Sequence, residues 1–89
     1  MNVEFDKSFL KDIKKIQDNK IRKHVERVII TCKSAQQLSE IINLKKLSGF
    51  QSYYRIKIGD YRIGFELIDN NTLHFLVIRH RKDIYKRFP

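Results

Sequence analysis

The sequence has few of the residues that cross-link or interrupt a chain. It contains one cysteine, three glycines, no tryptophan and a single proline, which is the last of its 89 residues. One cysteine allows no internal disulfide, so a reducing compartment is expected, and we predict a cytoplasmic protein. No apolar run reaches the ~18 residues that cross a bilayer. Residues 1–15 are charged throughout and lack the apolar segment of a signal peptide. The sequence therefore predicts no membrane association.

Acidic residues are also scarce relative to basic ones. Nineteen Lys and Arg against ten Asp and Glu give a formal net charge of +9. Such a charge on a small chain attracts nucleic acid, an anionic membrane or an acidic protein, although a solvated basic surface would have the same composition. The hydrophobic fraction of 42% excludes a disordered tail. We therefore expect one folded domain over residues 1–89.

The first half of the chain has the spacing of helices. Residues 1–5 alternate like a short strand, and Asp6 is placed to cap a helix with apolar residues at helical spacing, namely Phe9, Ile13 and Ile16. After a break at 17–19, an apolar stripe predicts a second helix, through Ile21, Val25, Val28, Ile29 and Cys32. Residues 34–37 have the form of a capping box and predict a short third helix. A connector over 45–51 then turns at Gly49.

The second half has the patterns of strands. Residues 52–58 and 61–67 alternate, and Gly59-Asp60 separates them with glycine first, as in a type II′ hairpin. The apolar run 73–78 predicts a strand buried on both faces. Residues 82–88 fit either a short helix or an irregular tail. The order β-α-α-β-β-β predicts an α+β domain, a mostly antiparallel sheet with helices packed on one face.

The predicted turn determines which side chains share a sheet face. It places Lys57 opposite Arg62 and Arg55 opposite Gly64, so the three cations lie on the face away from the core. Like charges directly opposite destabilise a ladder by roughly a few tenths of a kcal/mol, and such conflicts are typical of functional sites. A phosphate between the cations would relieve the repulsion. The alternative is a solvated face with Glu66 as counter-ion. Gly64, a glycine within a strand, indicates either a bulge or the close approach of another chain or a ligand.

The densest charge lies in residues 78–88, which hold five cations, a histidine and a tyrosine. A phenol among cations, such as Tyr85, can act as a general base or acid, although a ring packed on the sheet edge is equally compatible with the sequence. For His80, at a strand end, a structural role is the more common one. Metal-ligand motifs, phosphate-binding glycine loops and nucleophile elbows are absent. These patterns favour a polyanion site, with RNA as the leading candidate and neither metal nor cofactor expected.

The motifs resemble the RelE/ParE toxin superfamily of bacterial and archaeal type II toxin–antitoxin systems. The resemblance covers essentially the whole chain and rests on three segments, 47–50, 54–63 and 80–85. The superfamily includes ribosome-dependent mRNA endonucleases, which are RelE-like, and gyrase poisons, which are ParE-like. The resemblance implies a metal-independent endoribonuclease that cuts mRNA in the ribosomal A site through attack of a ribose 2′-hydroxyl on the adjacent phosphate.

The resemblance also implies roles for individual residues. Arg62 and Lys57 would stabilise the pentavalent phosphorane, Tyr85 or Lys57 would take the 2′ proton, and Arg81 would hold or protonate the leaving 5′ oxygen. Substrate contacts are expected from four further side chains, Arg55, Arg79, His80 and Lys82. Two positions depart from the family pattern. Arg55 stands where the prototype has lysine, and a permanently charged guanidinium cannot act as a base. Arg79 stands where relatives often have glycine.

Three functions remain open at this point. The presence of Arg62, Arg81 and Tyr85 together favours the nuclease over a ParE-like gyrase inhibitor, and a basic RNA-binding module or inactive relative is the third possibility. The resemblance further implies an acidic antitoxin as partner in a hetero-oligomer. The mRNA and the ribosomal A site would be the other partners, and operator DNA would be bound only through the antitoxin.

Overall fold

The computed structural model of the chain has a five-stranded sheet with helices on both faces. The structure describes residues 1–89 except for the side chain of Arg87. The elements are β1 (Asn2–Phe5), α1 (Lys7–Lys15), α2 (Asn19–Ser34), a 3₁₀ turn (Leu38–Glu40), β2 (Leu44–Lys46), β3 (Tyr53–Ile58), β4 (Tyr61–Ile68), β5 (Thr72–His80) and α3 (Arg81–Arg87). The strand order is β1-β5-β4-β3-β2. Only β1 and β5 run parallel, and the other neighbours are antiparallel.

Both long helices begin at an aspartate. The Asp6 carboxylate accepts a hydrogen bond from the backbone N–H of Ser8 at 3.0 Å, and the Asp18 carboxylate accepts one from Lys20 at 2.9 Å. Hydrogen bonds from the side chain and backbone of Ser8 lower the pKa of the Asp6 carboxyl below its usual value. The predicted cap at Asp6 and the predicted break at 17–19 are therefore confirmed.

The main core lies between the sheet and the pair α1 and α2. It is built from buried apolar side chains, among them Phe9, Val25, Cys32, Ile56, Ile58, Ile63, Phe65, Leu73, Phe75 and Ile78. Burial raises the pKa of the Cys32 thiol to about 11, so the thiolate is scarce at neutral pH and the residue acts as a packing group. None of the helices in the described part of the chain is long and apolar enough to cross a membrane.

The outer edge of β5 is closed by two different elements. β1 pairs with its first half, from Thr72 to Phe75. Beyond that point α1 runs along the edge, where the Ser8 hydroxyl donates to the carbonyl of Leu76 and the Asp12 carboxylate accepts from the backbone N–H of Ile78 at 3.1 Å. Side chains thus satisfy the backbone groups that a strand edge would otherwise leave free.

A β-bulge in β5 reverses the alternation of its side chains, so that residues after the bulge point to the opposite face of the sheet from the one that the alternation before it would give. Gly64 of β4 pairs with Val77, whereas the next residue pairs with Phe75, so Leu76 is the extra residue. Phe75 faces the main core, and after the bulge Val77 faces the opposite side. There it joins a second apolar cluster under α3, which consists of Leu47, Val77, Ile84 and Phe88. Leu73, Phe75 and Ile78 are buried in the main core and Val77 in the second cluster, whereas His74 and Leu76 are only partly buried. The predicted burial on both faces therefore holds for the end of the run 73–78, after the bulge.

The ring of Phe88 packs directly on Gly64. A Cβ atom at Gly64 would lie 2.7 Å from this ring, which is closer than real contacts allow. The glycine thus marks a close approach, but the approaching group is the C-terminal end of the chain itself and not the ligand or second chain that the sequence analysis expected.

The structure corrects the sequence prediction in three places. The third helix is one 3₁₀ turn, and the carboxylate that caps its start belongs to Glu40, which accepts from the N–H of Gln37 at 3.2 Å. The predicted cap at 34–37 is wrong because Ser34 still belongs to α2. The connector 45–51 begins within β2, which the sequence analysis missed. The prediction of helices on one face of the sheet holds for α1 and α2. The C-terminal segment, for which the sequence allowed a short helix or an irregular tail, is the helix α3, and it covers the opposite face of the sheet.

The contact between Gly64 and Phe88 is testable by a double-mutant cycle. Gly64→Ala should lower the free energy of unfolding by about 1–3 kcal/mol through overpacking, and Phe88→Ala by about 3–5 kcal/mol through loss of a buried ring. In the Phe88→Ala background the alanine at position 64 should cost much less, because the group that it meets is gone. Urea denaturation of the four proteins measures the coupling, and simple additivity would contradict the packing described.

Candidate functional site

The β3–β4 hairpin has the predicted register. Ile58 pairs with Tyr61, Lys57 with Arg62 and Arg55 with Gly64. Gly59 has a φ of 56°, as the first central residue of a type II′ turn requires. The three cations consequently lie on the face opposite the main core, which is the face that α3 covers in part.

These cations and a phenol line one cleft. The cleft has a volume of about 330 Å³, and seven residues line it, namely Asn43, Leu44, Lys45, Arg55, Lys57, Arg62 and Tyr85. The structure thus brings together Arg55 and three of the four predicted catalytic residues. The sequence analysis missed Lys45, because it lies in the unrecognised strand β2. It pairs with Arg55 across the ladder, so the cleft contains two like-charged cross-strand pairs.

No carboxylate among the described side chains pairs with a cation that lines the cleft. Among the described side chains, ion pairs join His74 to Asp6, Arg79 to Asp12 and Arg81 to Asp60. Glu66, the alternative counter-ion, forms no ion pair with the described residues. The cross-strand repulsion is therefore unrelieved within the protein, as expected of a surface that receives an anion.

Two of the cleft side chains are held in place by named contacts. Nη1 of Arg62 donates to the carbonyl oxygens of Gly59 at 2.8 Å and Tyr61 at 2.9 Å, which ties the guanidinium to the hairpin turn. The guanidinium carbon of Arg55 lies 4.7 Å from the ring centroid of Tyr85, a cation–π contact between the sheet and α3. The Tyr85 side chain is nevertheless 69% exposed, so a ligand can reach the phenol.

Arg81 lies beside the cleft rather than in its lining. Its backbone N–H donates to the carbonyl of Asp60 at 2.7 Å, and its Nε lies 3.9 Å from an Asp60 carboxylate oxygen. It precedes Tyr85 by one helical turn, so both side chains project from the same side of α3. Lys82, the next residue, is exposed on α3 and does not line the cleft.

Arg79 and His80 are placed elsewhere. Nη2 of Arg79 lies 3.4 Å from the Asp12 carboxylate, which is 5% exposed. Nδ1 of His80 accepts from the N–H of Lys82 at 3.2 Å and so caps the start of α3. Both line a separate depression at the junction of α1, β5 and α3. The contacts of the two side chains are structural, and neither side chain lines the cleft.

Comparison with known proteins identifies the family. A family model described as the ParE toxin of the type II toxin–antitoxin system parDE matches residues 3–85. Toxin RelE3 of Methanocaldococcus jannaschii is 40% identical over 90 residues, which cover 100% of both chains. Putative toxin RelE1 of the same organism is 31% identical, over 96% of this chain and 94% of the relative.

Solved structures agree with this relationship. The RelB–RelE antitoxin–toxin complex from Methanococcus jannaschii matches with a TM-score of 0.80 and 38% identity, over 97% of this chain and 99% of the other. The isolated E. coli RelE toxin matches with a TM-score of 0.65 at 18% identity, over 99% and 98%, and shows the shared fold. The chain therefore belongs to the RelE/ParE superfamily of type II toxin–antitoxin toxins, and its named relatives place it among the RelE-like members.

Inorganic phosphate is a direct probe of the cleft. If the cleft binds phosphate, a phosphate concentration of ten times the dissociation constant should stabilise the protein by roughly 1.4 kcal/mol, or several degrees in Tm, relative to chloride at equal ionic strength. Arg62→Ala and Lys57→Ala should each reduce this rise. Lys11→Ala removes an exposed cation from α1. This variant should keep the full rise in stability, including the part that phosphate causes by its exclusion from the protein surface. An equal rise in all four proteins would argue against a specific anion site.

Proposed function

We propose that this chain is an endoribonuclease that cleaves mRNA in the ribosomal A site. The observation that carries the proposal is the cleft that Lys45, Arg55, Lys57 and Arg62 line together with Tyr85. These cations have no carboxylate partner among the described residues. An RNA phosphodiester matches both parts of this arrangement. Its charge compensates the cations, and the neighbouring 2′-hydroxyl is a nucleophile whose proton needs an acceptor.

The proposed reaction is an internal transesterification. The 2′ oxygen forms a bond to phosphorus while the bond from phosphorus to the 5′ oxygen breaks, which leaves a 2′,3′-cyclic phosphate and a free 5′-hydroxyl. The proton of the 2′-hydroxyl passes to a base, and the leaving 5′ oxygen receives a proton. Tyr85 and Lys57 are the cleft groups able to accept the first proton. Arg55 is not, because its guanidinium stays charged.

Charge stabilisation would be the main catalytic contribution of the hairpin. The phosphorane carries more negative charge on its equatorial oxygens than the starting diester. Arg62 is held by the turn carbonyls, so it need not reorganise when this charge develops, and fixed donors of that kind are worth about 10²–10³ in rate. Lys57 faces it across the ladder and would contact the same phosphoryl group as a mobile point charge.

The helix α3 would supply the remaining groups. Arg55 holds the Tyr85 ring over the sheet through the cation–π contact. Arg81, one turn before Tyr85 and with its Nε 3.9 Å from an Asp60 carboxylate oxygen, is placed to hold the leaving 5′ oxygen. Because its guanidinium stays charged, the proton that this oxygen takes up comes from water. Tyr85 would then act on the nucleophile and Arg81 on the leaving group, from opposite ends of one helical turn.

The same surface suits an antitoxin. The similar structure from Methanococcus jannaschii is a RelB–RelE antitoxin–toxin complex. We propose that an acidic antitoxin binds this chain, since a partner of opposite charge would neutralise the net charge of +9. Operator DNA would be contacted through that antitoxin.

Cleavage of ribosome-bound mRNA by purified variants tests the proposal. Arg62→Ala should slow single-turnover cleavage by about 10²–10³-fold through loss of phosphorane stabilisation. Arg81→Ala should also slow it, and Tyr85→Phe by about 10²–10⁴-fold if the phenol transfers the proton. Lys11→Ala serves as the matched control and should cleave normally.

Two outcomes would count against the nuclease. One is undiminished cleavage when Arg62, Arg81 and Tyr85 are all substituted. The other is toxicity that leaves mRNA intact and produces DNA breaks with filamentation, which a ParE-like gyrase inhibitor would cause. Mapping of mRNA ends and DNA integrity after induction distinguishes the two activities in one culture.

A further inference from the structure

A second groove adjoins the cleft. Its volume is about 180 Å³, and it lies between α2 and the segment that leads into β2, lined by His24, Arg27, Val28, Thr31, Ile41, Ile42, Asn43 and Lys57. Asn43 and Lys57 also line the cleft, so the two depressions are immediate neighbours on the surface. The proposed reaction uses only the cleft, and the groove has no role in it.

The groove has one polar and one apolar wall. His24, Arg27 and Thr31 follow each other at helical spacing along one side of α2. Across from them lie Ile41, which is buried in the main core, and Ile42, which is 77% exposed and is the apolar side chain open to a ligand on that side. Neither His24 nor Arg27 forms an ion pair or side-chain hydrogen bond with any residue that the structure describes. A cation and a histidine thus face an apolar surface, and both walls are open to a ligand.

The junction between groove and cleft is fixed by the backbone. Asn43 has a φ of 64°, in the left-handed region, and its carbonyl accepts a hydrogen bond from the N–H of Lys57 at 3.1 Å. This bond ties the segment before β2 to the central hairpin. A ligand that occupies the cleft and extends over Asn43 would therefore meet a preformed second site.

A nucleotide has the chemistry that both walls require. Its phosphate matches the Arg27 guanidinium and a histidine donor, and its base has an apolar face that can lie on Ile42. An acidic peptide with an apolar side chain could satisfy the same walls, but the lining that the groove shares with the cleft favours the RNA proposed to lie there. We propose that this groove binds a nucleotide flanking the scissile phosphodiester of a single-stranded RNA. The inference rests on the proposed function, because it takes the RNA in the cleft as its starting point.

Binding of a non-cleavable RNA tests the inference. The probe is a short, fluorescently labelled 2′-O-methyl RNA without secondary structure, and anisotropy is measured at several salt concentrations on the purified chain. Arg27→Ala should weaken binding roughly fivefold to tenfold and lower the salt slope by about 0.7, as loss of one phosphate contact on a single strand predicts. Ile42→Ser should weaken binding roughly threefold to tenfold with an unchanged slope, since only apolar contact is lost.

Lys11→Ala is the matched control for charge and should leave affinity and slope unchanged. Arg27, Ile42 and Lys11 are all exposed, so their variants should fold, and urea denaturation checks this. If Arg62→Ala weakens binding while Arg27→Ala and Ile42→Ser do not, the groove proposal fails and the cleft proposal stands. If groove variants alter the affinity of an acidic antitoxin but not that of RNA, the groove is a protein contact and the inference is wrong. Failure of the proposed function would appear separately, as undiminished cleavage when Arg62, Arg81 and Tyr85 are all substituted.

Discussion

The contact between Phe88 and Gly64 is the constraint on which the candidate site depends. The absence of a side chain at position 64 lets an aromatic ring lie directly against the sheet, and this ring with Ile84 anchors α3 over the face opposite the main core. Only with α3 in that place does the Tyr85 ring reach the Arg55 guanidinium. A single backbone position in β4 thus determines whether the phenol and the cations of the hairpin share one cleft.

The distribution of charge follows from the same architecture. Cations at the margins of the sheet have carboxylate partners: Arg79 contacts Asp12, and Arg81 contacts Asp60. Arg79 stands opposite Arg62 in the ladder, yet its side chain contacts the carboxylate that also closes the edge of β5. Arg79 is thereby held away from the cleft, while the cations that line it have no carboxylate partner among the described side chains. The fold thus separates the charge of Arg79, which has a structural contact, from the charges available to a ligand.

The sequence predicted the hairpin well because a two-residue turn with glycine first admits one register, and the register alone determines which side chains share a face. It predicted less well where long-range packing decides. β2 is three residues long and largely polar, so it has no readable periodicity, and Lys45 was missed with it. The contacts of Arg79 and His80 depend on where the folded chain places their partners. Arg79 contacts Asp12, which is distant in sequence, and His80 caps the start of α3. The extra residue Leu76 follows from pairing between strands rather than from any local pattern.

The like-charged pairs in the cleft have a cost that the rest of the sheet offsets. Lys45 faces Arg55, and Lys57 faces Arg62, each at a loss of roughly a few tenths of a kcal/mol. On the reverse face the same strands bury Ile56, Ile58 and Ile63 completely or almost so, and each such side chain contributes about 1.5–3 kcal/mol. The core therefore fixes the register firmly enough to hold repelling cations at ladder spacing. Since that spacing exists before any ligand arrives, a bound anion gains the full electrostatic attraction without reorganising the strands.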